Sequence, residues 1–238
     1  MATLEHHLQH QLEHAQAFFW HRLRWHIVAE YVPPDRPLVL VDVGAGTGLL
    51  GEFLERARPR VSYRFIEPIE SLNSRLEDRF GAGANARTVA GIENADVVSV
   101  LDVIEHQDDD RAFVAEIVSH MRPGALLLLS VPAQPWLWSE WDAALGHHRR
   151  YDKGMFRQLL DPTRVEIREL SYLFPEMVVP ALVRKHTRHK ETSAAELPEL
   201  PKIVNGAFYA VGRATLPLRR FIPIGTSLFA AARRTPSS

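Results

Sequence analysis

Apolar residues recur at helical spacing at the start of the chain and form short continuous runs further on. Residues 3–31 carry apolar side chains three or four positions apart and contain neither Gly nor Pro, which predicts a helix that Pro33-Pro34 ends. The run Pro37–Val43 is almost wholly apolar and β-branched, as in a strand that is covered on both faces. Glycines at Gly44–Gly48 interrupt it, and Leu49–Ala57 resumes the helical spacing. The chain therefore begins with the pattern helix, strand, glycine loop, helix.

The alternation of strands and helices continues to residue 131. Apolar patterning predicts four more strands, at Val61–Ile66, Thr88–Ile92, Asp96–Leu101 and Ala125–Val131, and helices at Ile69–Phe80 and Arg111–His120. Strands that alternate with helices form a parallel sheet with right-handed crossovers. The pattern therefore predicts an α/β fold.

The rhythm changes after Pro132. A loop rich in Trp and polar residues is followed by elements predicted as a short helix at Met155–Leu160, a strand at Val165–Leu170, two helical stretches within residues 172–220 and a final strand at Ile222–Ala232. The two helical stretches are separated by Glu191–Pro201, a connector rich in Pro, Glu, Ser and Thr.

Composition narrows the class of protein. The chain has 238 residues, of which 46% are hydrophobic and 24% charged, as expected of one globular domain. It contains no Cys, which excludes disulfides, thiolate metal sites and cysteine nucleophiles. The net charge of −1 gives no reason to expect nucleic-acid binding. The first residues do not resemble a signal peptide, and no apolar run approaches the roughly 20 residues of a membrane span, so we expect a cytoplasmic protein without a transmembrane segment.

The balanced charge conceals an asymmetry. Residues 1–162 contain 16 Lys and Arg against 23 Asp and Glu, whereas residues 163–238 contain 12 against 6. The basic excess has two alternative explanations. One is a solvated basic face, and the other is a contact with an anionic substrate or a membrane surface.

A glycine loop and an acidic residue carry the strongest functional signal. Asp42 precedes the Gly-x-Gly-x-Gly sequence of Gly44–Gly48, where glycines let the backbone turn tightly and the following helix offers unpaired N–H groups. Glu67 lies directly after the next strand, where a carboxylate can accept both hydroxyls of a ribose. A dinucleotide fingerprint requires a third glycine at position 49, which is Leu49 here. The combination favours a cofactor of the adenosine type.

These residues, together with Ala95–His106, resemble the class I S-adenosylmethionine-dependent methyltransferases. Further segments resemble a bacterial branch of that family with small-molecule acceptors; they are Phe19–Arg24, Val131–Ala133, Trp138-Ser139, Asp142, Gly146–Tyr151 and Pro223–Leu228. The likeness covers nearly the whole chain.

The resemblance implies a Rossmann-like, seven-stranded, mostly parallel sheet of order 3-2-1-4-5-7-6, in which the seventh strand is antiparallel. It also implies N-terminal helices, a helical insertion between the sixth and seventh strands, and S-adenosyl-L-methionine as the cofactor. On this basis the chain is a single methyltransferase domain, divided into an N-terminal helical cap (1–34), a cofactor-binding core (35–171), a helical lid or insertion (172–220) and a last strand with its tail (221–238).

The same resemblance assigns the cofactor-binding residues. They are Gly44, Ala45, Gly46 and Gly48 against the methionine and ribose, Glu67 on the ribose hydroxyls, Asp42 ordering the loop, Leu101 and Asp102 near the methionine amine, and Trp20 or Arg24 over the carboxylate. Many relatives carry an Asp near the third strand that hydrogen-bonds the adenine amine. The corresponding run, Val89–Asn94, has no Asp, and Ile92 is the cofactor contact expected there.

Methyl transfer from a sulfonium needs in-line alignment and a deprotonated acceptor. Histidine is the side chain that titrates nearest neutral pH, and His147 is the preferred base because the resemblance places it beside the acceptor, with His106 as the second candidate. A structural hydrogen bond from His147 to Asp142 or to a carbonyl is the alternative. For His106 the alternative is a role at a helix start or in a loop.

The candidate substrate-binding residues are Trp138, His148, Arg149, Arg150 and Tyr151. Guanidinium groups bind carboxylate or phosphate, and a Trp-rich loop can wall an apolar pocket. Ion pairs with the acidic first half, and packing of the loop onto the sheet, are the alternatives.

Two further regions have possible functions. His7, His10 and His14 share one face of the first predicted helix, a spacing that suits zinc or nickel, but a surface helix is the preferred interpretation and no metal is expected. Residues 172–220 are interpreted first as a substrate lid or homodimer contact and second as a peripheral membrane contact.

The sequence thus predicts transfer of a methyl group from S-adenosylmethionine to an O or N atom of a small metabolite. The alternatives are a lipid-linked or glycosyl acceptor, an NAD(P)-dependent oxidoreductase or epimerase, and a non-catalytic subunit of a larger assembly.

Overall fold

The computed structural model describes residues 18–160, 164–186 and 200–236, which form an α/β fold around one sheet. The strands are β1 (Leu38–Val43), β2 (Val61–Ile66), β3 (Val97–Leu101), β4 (Leu126–Pro132), β5 (Val165–Leu173) and β6 (Ser227–Arg234). Within the described part of the chain the order is β2-β1-β3-β4-β6-β5. β1 to β4 run parallel, and β6 is antiparallel to both of its neighbours.

Helices connect the strands and cover the sheet. They are α1 (Phe19–Tyr31), α2 (Leu49–Ala57), α3 (Glu70–Phe80), α4 (Asp110–His120), α5 (Glu140–Ala144), α6 (Lys153–Leu160), α7 (Val178–His186) and α8 (Lys202–Thr215). Short 3-10 helices occupy Ala82–Ala84, Val89–Ile92, Ile104–His106, Pro135–Leu137, Pro175–Met177 and Leu216–Phe221. None of the helices in the described ranges is both long enough and apolar enough to cross a membrane.

The core consists of two apolar clusters, in which successive residues of a strand take part alternately because their side chains point to opposite faces. Leu40 of β1 belongs to the cluster that includes Phe19 and Ile27 of α1. Val41 belongs to the other cluster, with Ile117 of α4. This double coverage explains the continuous apolar runs in the sequence.

The predicted strand at Thr88–Ile92 is wrong, because Val89–Ile92 forms a 3-10 helix. Arg87 has a φ of 64°, and the following amides bond locally: Thr88 donates to the Ala86 carbonyl and Gly91 to the Thr88 carbonyl. Backbone groups that are satisfied in a local turn are not available for a ladder, and beside β2 a single bridge joins Phe65 to Asn85. The seven-strand count and order are therefore not confirmed.

Other boundaries differ by a few residues. The last strand begins at Ser227, not Ile222; Leu216–Phe221 forms a 3-10 helix after α8, and irregular backbone connects the two. The insertion after β5 contains α7 and α8, but residues 187–199 between them lie outside the described ranges. Of the long N-terminal helix that the pattern predicts, α1 is described, whereas His7, His10 and His14 lie outside the described residues.

A buried ionic cluster attaches the end of the insertion to the sheet. Glu169 of β5 is buried and accepts hydrogen bonds from Arg219 Nε at 2.6 Å, from the Tyr31 hydroxyl at 2.6 Å and from Ser171 Oγ at 2.9 Å. Burial raises the pKa of Glu169, but hydrogen bonds from Arg219 and Tyr31 outweigh it and hold the pKa below its usual value. One carboxylate therefore joins β5, α1 and the segment after α8.

Replacement of Glu169 by Ala should destabilise the protein strongly. It would leave the Arg219 guanidinium buried with its main partner removed, and breaking a buried ion pair in this way costs roughly 3–5 kcal/mol. Urea denaturation of wild type and Glu169→Ala measures the loss.

Glu166→Ala is the matched control on the same strand. Glu166 pairs with Arg168 on the surface, where an ion pair is worth roughly 0–1 kcal/mol. Equal stability of the two variants would contradict the structural role of Glu169.

Candidate active site

The glycine loop lies at the carboxyl end of β1. Its glycines are required both by their backbone conformation and by the lack of room for a Cβ. Gly44, Gly46 and Gly48 have φ values of 74°, 55° and 78°, in the left-handed region that favours glycine. A Cβ on Gly44 would lie 2.5 Å from Val103 Cγ2. The Gly44 and Ala45 amides both donate to the Ile66 carbonyl, which fixes the loop against the end of β2. Gly48 then starts α2.

Glu67 closes this loop from the end of β2. Its Oε2 accepts a hydrogen bond from the Gly46 amide at 2.6 Å, and its Oε1 accepts one from the Ile69 amide at 2.9 Å. Burial raises the pKa of Glu67, and the two backbone donors oppose that shift. Each carboxylate oxygen has two lone pairs, so both oxygens keep acceptor capacity for the hydroxyls of a ribose.

Asp42 supports the loop from inside the sheet. The buried carboxylate accepts hydrogen bonds from Ser99 Oγ at 2.7 Å and from the Tyr63 hydroxyl at 3.1 Å. Burial raises the pKa of Asp42 to about 6, and the two hydroxyl donors act against that rise. Sequence reasoning missed both donors, although Ser99 lies directly opposite Asp42 in the β1–β3 pairing.

Asp102 follows β3 and forms an ion pair with Arg24 of α1. Asp102 has a φ of 56°; its amide donates to the Ser130 carbonyl at 2.9 Å and its carboxylate accepts from Ser130 Oγ at 2.9 Å. Burial lowers the pKa of Arg24 to about 10, and attraction by Glu105 opposes this. A negative and a positive group thus lie side by side at the sheet edge, an arrangement that matches the ammonium and carboxylate of an amino acid.

The remaining predicted cofactor residues take different positions. Trp20 is half-buried, its ring 4.5 Å from that of Phe18, and Leu101 is half-buried at the end of β3. Ile92 is fully buried in the core cluster that contains Val41. It therefore presents no surface to a ligand in this structure.

His147 and Asp142 form a hydrogen-bonded pair in the loop after β4. Asp142 Oδ1 lies 3.1 Å from His147 Nδ1 and accepts from Arg150 Nε at 2.7 Å, while Oδ2 accepts from the Ser139 amide at 2.9 Å. Burial raises the pKa of Asp142, but hydrogen bonds from His147 and Arg150 hold it below its usual value. An ionised carboxylate only accepts, so Nδ1 of His147 carries the hydrogen and Nε2 carries the lone pair.

His147 lies next to His106 and Glu105. The two imidazole rings are 4.9 Å apart and nearly perpendicular, and Nε2 of His147 lies 4.0 Å from Glu105 Oε1. His106 Nδ1 lies 3.1 Å from the Gly146 carbonyl, so this nitrogen is the donor and Nε2 again carries the lone pair. The structure brings the two predicted histidines together and adds Glu105, whose sequence signal was its place in the Glu105-His106 motif.

The predicted substrate-binding residues are engaged with acidic and backbone groups. Arg150 is buried on Asp142, Arg149 pairs with Asp110 Oδ2 at 3.0 Å, and the Tyr151 hydroxyl donates to the same Asp110 oxygen at 2.8 Å. The geometry thus gives Arg149 and Arg150 the internal ion pairs that were the alternative to anion binding. The other two predicted substrate residues are His148, with Nδ1 3.5 Å from Asp108 Oδ1, and the half-buried Trp138.

Glu105 lies between the Arg24–Asp102 pair and the two histidines, His106 and His147. This side chain is fully buried, which raises its pKa to about 8, and the nearby charges of Arg24 and Arg150 oppose the rise. Glu105 therefore lies between Arg24, whose charge acts on it, and His147, whose Nε2 is 4.0 Å from Glu105 Oε1.

Comparison with known proteins gives the family. A family profile described as a methyltransferase domain matches residues 4–175, well over half of the chain. No curated protein matches the sequence significantly.

Solved structures share the fold at low sequence identity. A protein assigned as a sarcosine dimethylglycine methyltransferase from Galdieria sulphuraria is 14% identical, with a TM-score of 0.56 over 90% of this chain and 84% of that one. Phosphoethanolamine N-methyltransferase 2 from Haemonchus contortus, solved with S-adenosyl-L-methionine, is 14% identical, with a TM-score of 0.58 over 91% of this chain and 53% of that one. The cyclase SpnF is 13% identical, with a TM-score of 0.54 over 90% and 81%. The chain therefore belongs to the methyltransferase-domain family, which confirms its resemblance to the class I S-adenosylmethionine-dependent methyltransferases.

Proposed function

We propose that the protein transfers the methyl group of S-adenosylmethionine to an O or N atom of a small metabolite. The observation that carries this proposal is the Arg24–Asp102 pair, which suits the charged methionine end of the cofactor and adjoins the Asp142–His147 pair through Glu105. The glycine loop and Glu67 supply the contacts for the ribose. Leu49, the first residue of α2, is buried where a dinucleotide fingerprint would have glycine, which disfavours the oxidoreductase alternative.

In this reaction each site residue would have a role that follows from its position. The cofactor supplies an electrophilic methyl group on a sulfonium. Asp102 and Arg24 orient it, and Glu67 holds the far end of the methionine–ribose unit. His147 Nε2 accepts the proton that the acceptor hydroxyl or ammonium loses, while the Asp142 carboxylate fixes the tautomer and stabilises the imidazolium. His106 packs edge-on against His147 and limits its rotation.

Glu67→Ala should weaken the binding of S-adenosylhomocysteine. Hydrogen bonds to a charged group are worth roughly 1.5–3 kcal/mol, so the affinity should fall by about one to two orders of magnitude. Isothermal titration calorimetry measures the affinity, with circular dichroism to verify folding.

Glu70→Ala is the control for that loss, since Glu70 lies three residues away and is exposed. Unchanged affinity in Glu67→Ala would refute the ribose assignment. Failure of wild type to bind at about 1 mM, an affinity of roughly 4 kcal/mol, would refute the proposed function itself.

His147→Ala should lower methyl transfer while S-adenosylhomocysteine binds as in wild type. Loss of a general base typically costs about 100- to 10,000-fold in rate. The assay is incorporation of labelled methyl groups into a panel of hydroxyl- and amine-bearing metabolites. His120→Ala, at the end of α4, serves as the control, and wild-type incorporation by His147→Ala would remove this residue as the base.

A lipid-linked acceptor is a second candidate, favoured by the surface of the insertion. Val179 and Val183 lie one turn apart on α7 and are 67% and 58% exposed. Ile203 at the start of α8 and Phe221 after it are 87% and 84% exposed. Exposed apolar residues next to Lys and Arg side chains are typical of helices that lie on a membrane surface.

The double substitution Ile203→Ser and Phe221→Ser tests this candidate. If α7 and α8 contact lipid, it should lower binding to vesicles of anionic phospholipid by at least about tenfold, since each buried large apolar side chain contributes roughly 1.5–3 kcal/mol. Met155→Ser, at an exposed apolar position on α6, is the control. If wild type, the double variant and Met155→Ser sediment equally with the vesicles, the insertion is not the lipid contact.

A further inference from the structure

Glu105 is the one buried carboxylate near the candidate active site whose oxygens have no hydrogen-bond partner among the described residues. It is fully buried in the 3-10 helix after β3, and no other residue of the described chain donates a hydrogen bond to Oε1 or Oε2. Buried polar groups are almost always satisfied by a hydrogen bond, an ion or a metal, because an uncompensated one costs free energy. The position of Glu105 therefore suits a partner with positive charge or a proton to donate.

Two histidines lie next to Glu105. Nδ1 of His106 donates to the Gly146 carbonyl and Nδ1 of His147 donates to Asp142, so Nε2 is the nitrogen of each ring that a cation would bind. One ligand atom each from Glu105, His106 and His147 lies within 4.8 Å of the other two. Donors on one tetrahedral ion at about 2.0–2.2 Å are about 3.3–3.6 Å apart, so the distances between these atoms would have to shorten by up to about 1.5 Å for all three to bind it.

The surroundings of His147 match those of a metal-binding histidine. Such histidines usually donate their second ring N–H to a carboxylate, which fixes the ring and raises its basicity. Asp142 does this for His147, and Asp142 is in turn held by Arg150 and Ser139. The second ring nitrogen of His106 is held by a backbone carbonyl, which is the other common arrangement.

We propose that Glu105, His106 and His147 bind one divalent transition-metal ion beside the methyl-transfer site. Two imidazoles and one carboxylate suit zinc, cobalt, manganese or ferrous iron and leave coordination positions open for water or the acceptor. The expectation from sequence was that the protein binds no metal, and the N-terminal histidines considered there are a different set.

The role of this ion rests on the proposed methyl transfer. An acceptor hydroxyl bound to the ion has a lowered pKa and loses its proton to solvent. Its oxygen then forms the O–CH3 bond as the S–CH3 bond breaks, and the sulfonium becomes a neutral thioether. With the ion bound, His147 Nε2 is a ligand, so the ion replaces His147 as the group that promotes deprotonation.

Metal binding is tested in a chain carrying His6→Ala, His7→Ala, His10→Ala and His14→Ala, which removes the histidines of the first 14 residues. After treatment with a chelator, this protein should bind one Zn²⁺ per chain by calorimetry and one Co²⁺ with a visible ligand-field spectrum. Glu105→Gln, which preserves the shape of the side chain, should abolish the spectrum. Asp142→Asn should weaken binding by about 10- to 100-fold, the usual effect of losing a carboxylate partner of a metal-bound histidine.

His120→Ala is the matched control and should bind as the parent does. Absence of stoichiometric binding, or binding that Glu105→Gln leaves unchanged, would overturn the metal site. Titration of S-adenosylhomocysteine into the same proteins separates the two proposals. Cofactor binding without metal binding refutes the metal site alone, and metal binding without cofactor binding refutes the proposed function alone.

Discussion

The ion pair between Arg24 and Asp102 joins the N-terminal helix to the sheet edge on which every part of the candidate site depends. Asp102 is held in a left-handed backbone conformation by two hydrogen bonds to Ser130, so β3 and β4 both fix its position. Arg24 reaches it from α1, a helix that otherwise packs through Phe19 and Ile27 into the core. Placing a guanidinium in the interior is costly unless its charge is compensated. This requirement links the packing of α1 to the chemistry of the site.

Three buried carboxylates near the site have different hydrogen-bond partners and different pKa shifts. Asp42 receives two neutral hydroxyl donors, and its pKa is raised to about 6. Asp142 receives a guanidinium and an imidazole, and its pKa is lowered despite its burial. Glu105 receives no hydrogen bond from any other described residue, and its pKa is raised to about 8. The contrast separates a structural carboxylate, an orienting carboxylate and one without a partner on another described residue.

Features that depend on residues close in sequence could be predicted, whereas contacts between residues far apart in sequence could not. The glycine loop and Glu67 could be predicted because their signal is local: a few residues at fixed spacing around a strand–helix junction. Thr88–Ile92 was wrong because its apolar composition suits a strand, whereas Arg87 turns the backbone and Gly91 packs against the Ala86 carbonyl. The partners of Arg149 and Glu105 could not be predicted, since Asp110 and His147 approach them only through the fold.

Hydrogen bonds and ion pairs within the protein account for part of the basic excess in residues 163–238. Much of the basic excess of the last third is used internally: Arg219 bonds Glu30 and Glu169, Arg220 bonds Glu169, and Arg234 donates to the Val118 carbonyl. Arg219 thus attaches the end of the insertion to Glu30 in the acidic first part and to Glu169 of β5, and Arg234 attaches the last strand to α4. A uniformly basic face is therefore a weaker explanation than ionic attachment of the C-terminal elements.

A shared fold does not determine the reaction, since the cyclase SpnF has the same architecture at similar TM-score. What distinguishes one member from another must lie in the loops at the carboxyl edge of the sheet. Here the segment after β3 contributes Glu105 and His106, and the loop after β4 contributes Asp142 and His147. The backbone ties the two together, because the His148 amide donates to the Glu105 carbonyl at 2.7 Å. The histidines are thus positioned by both loops at once, so a substitution in either loop can move both rings.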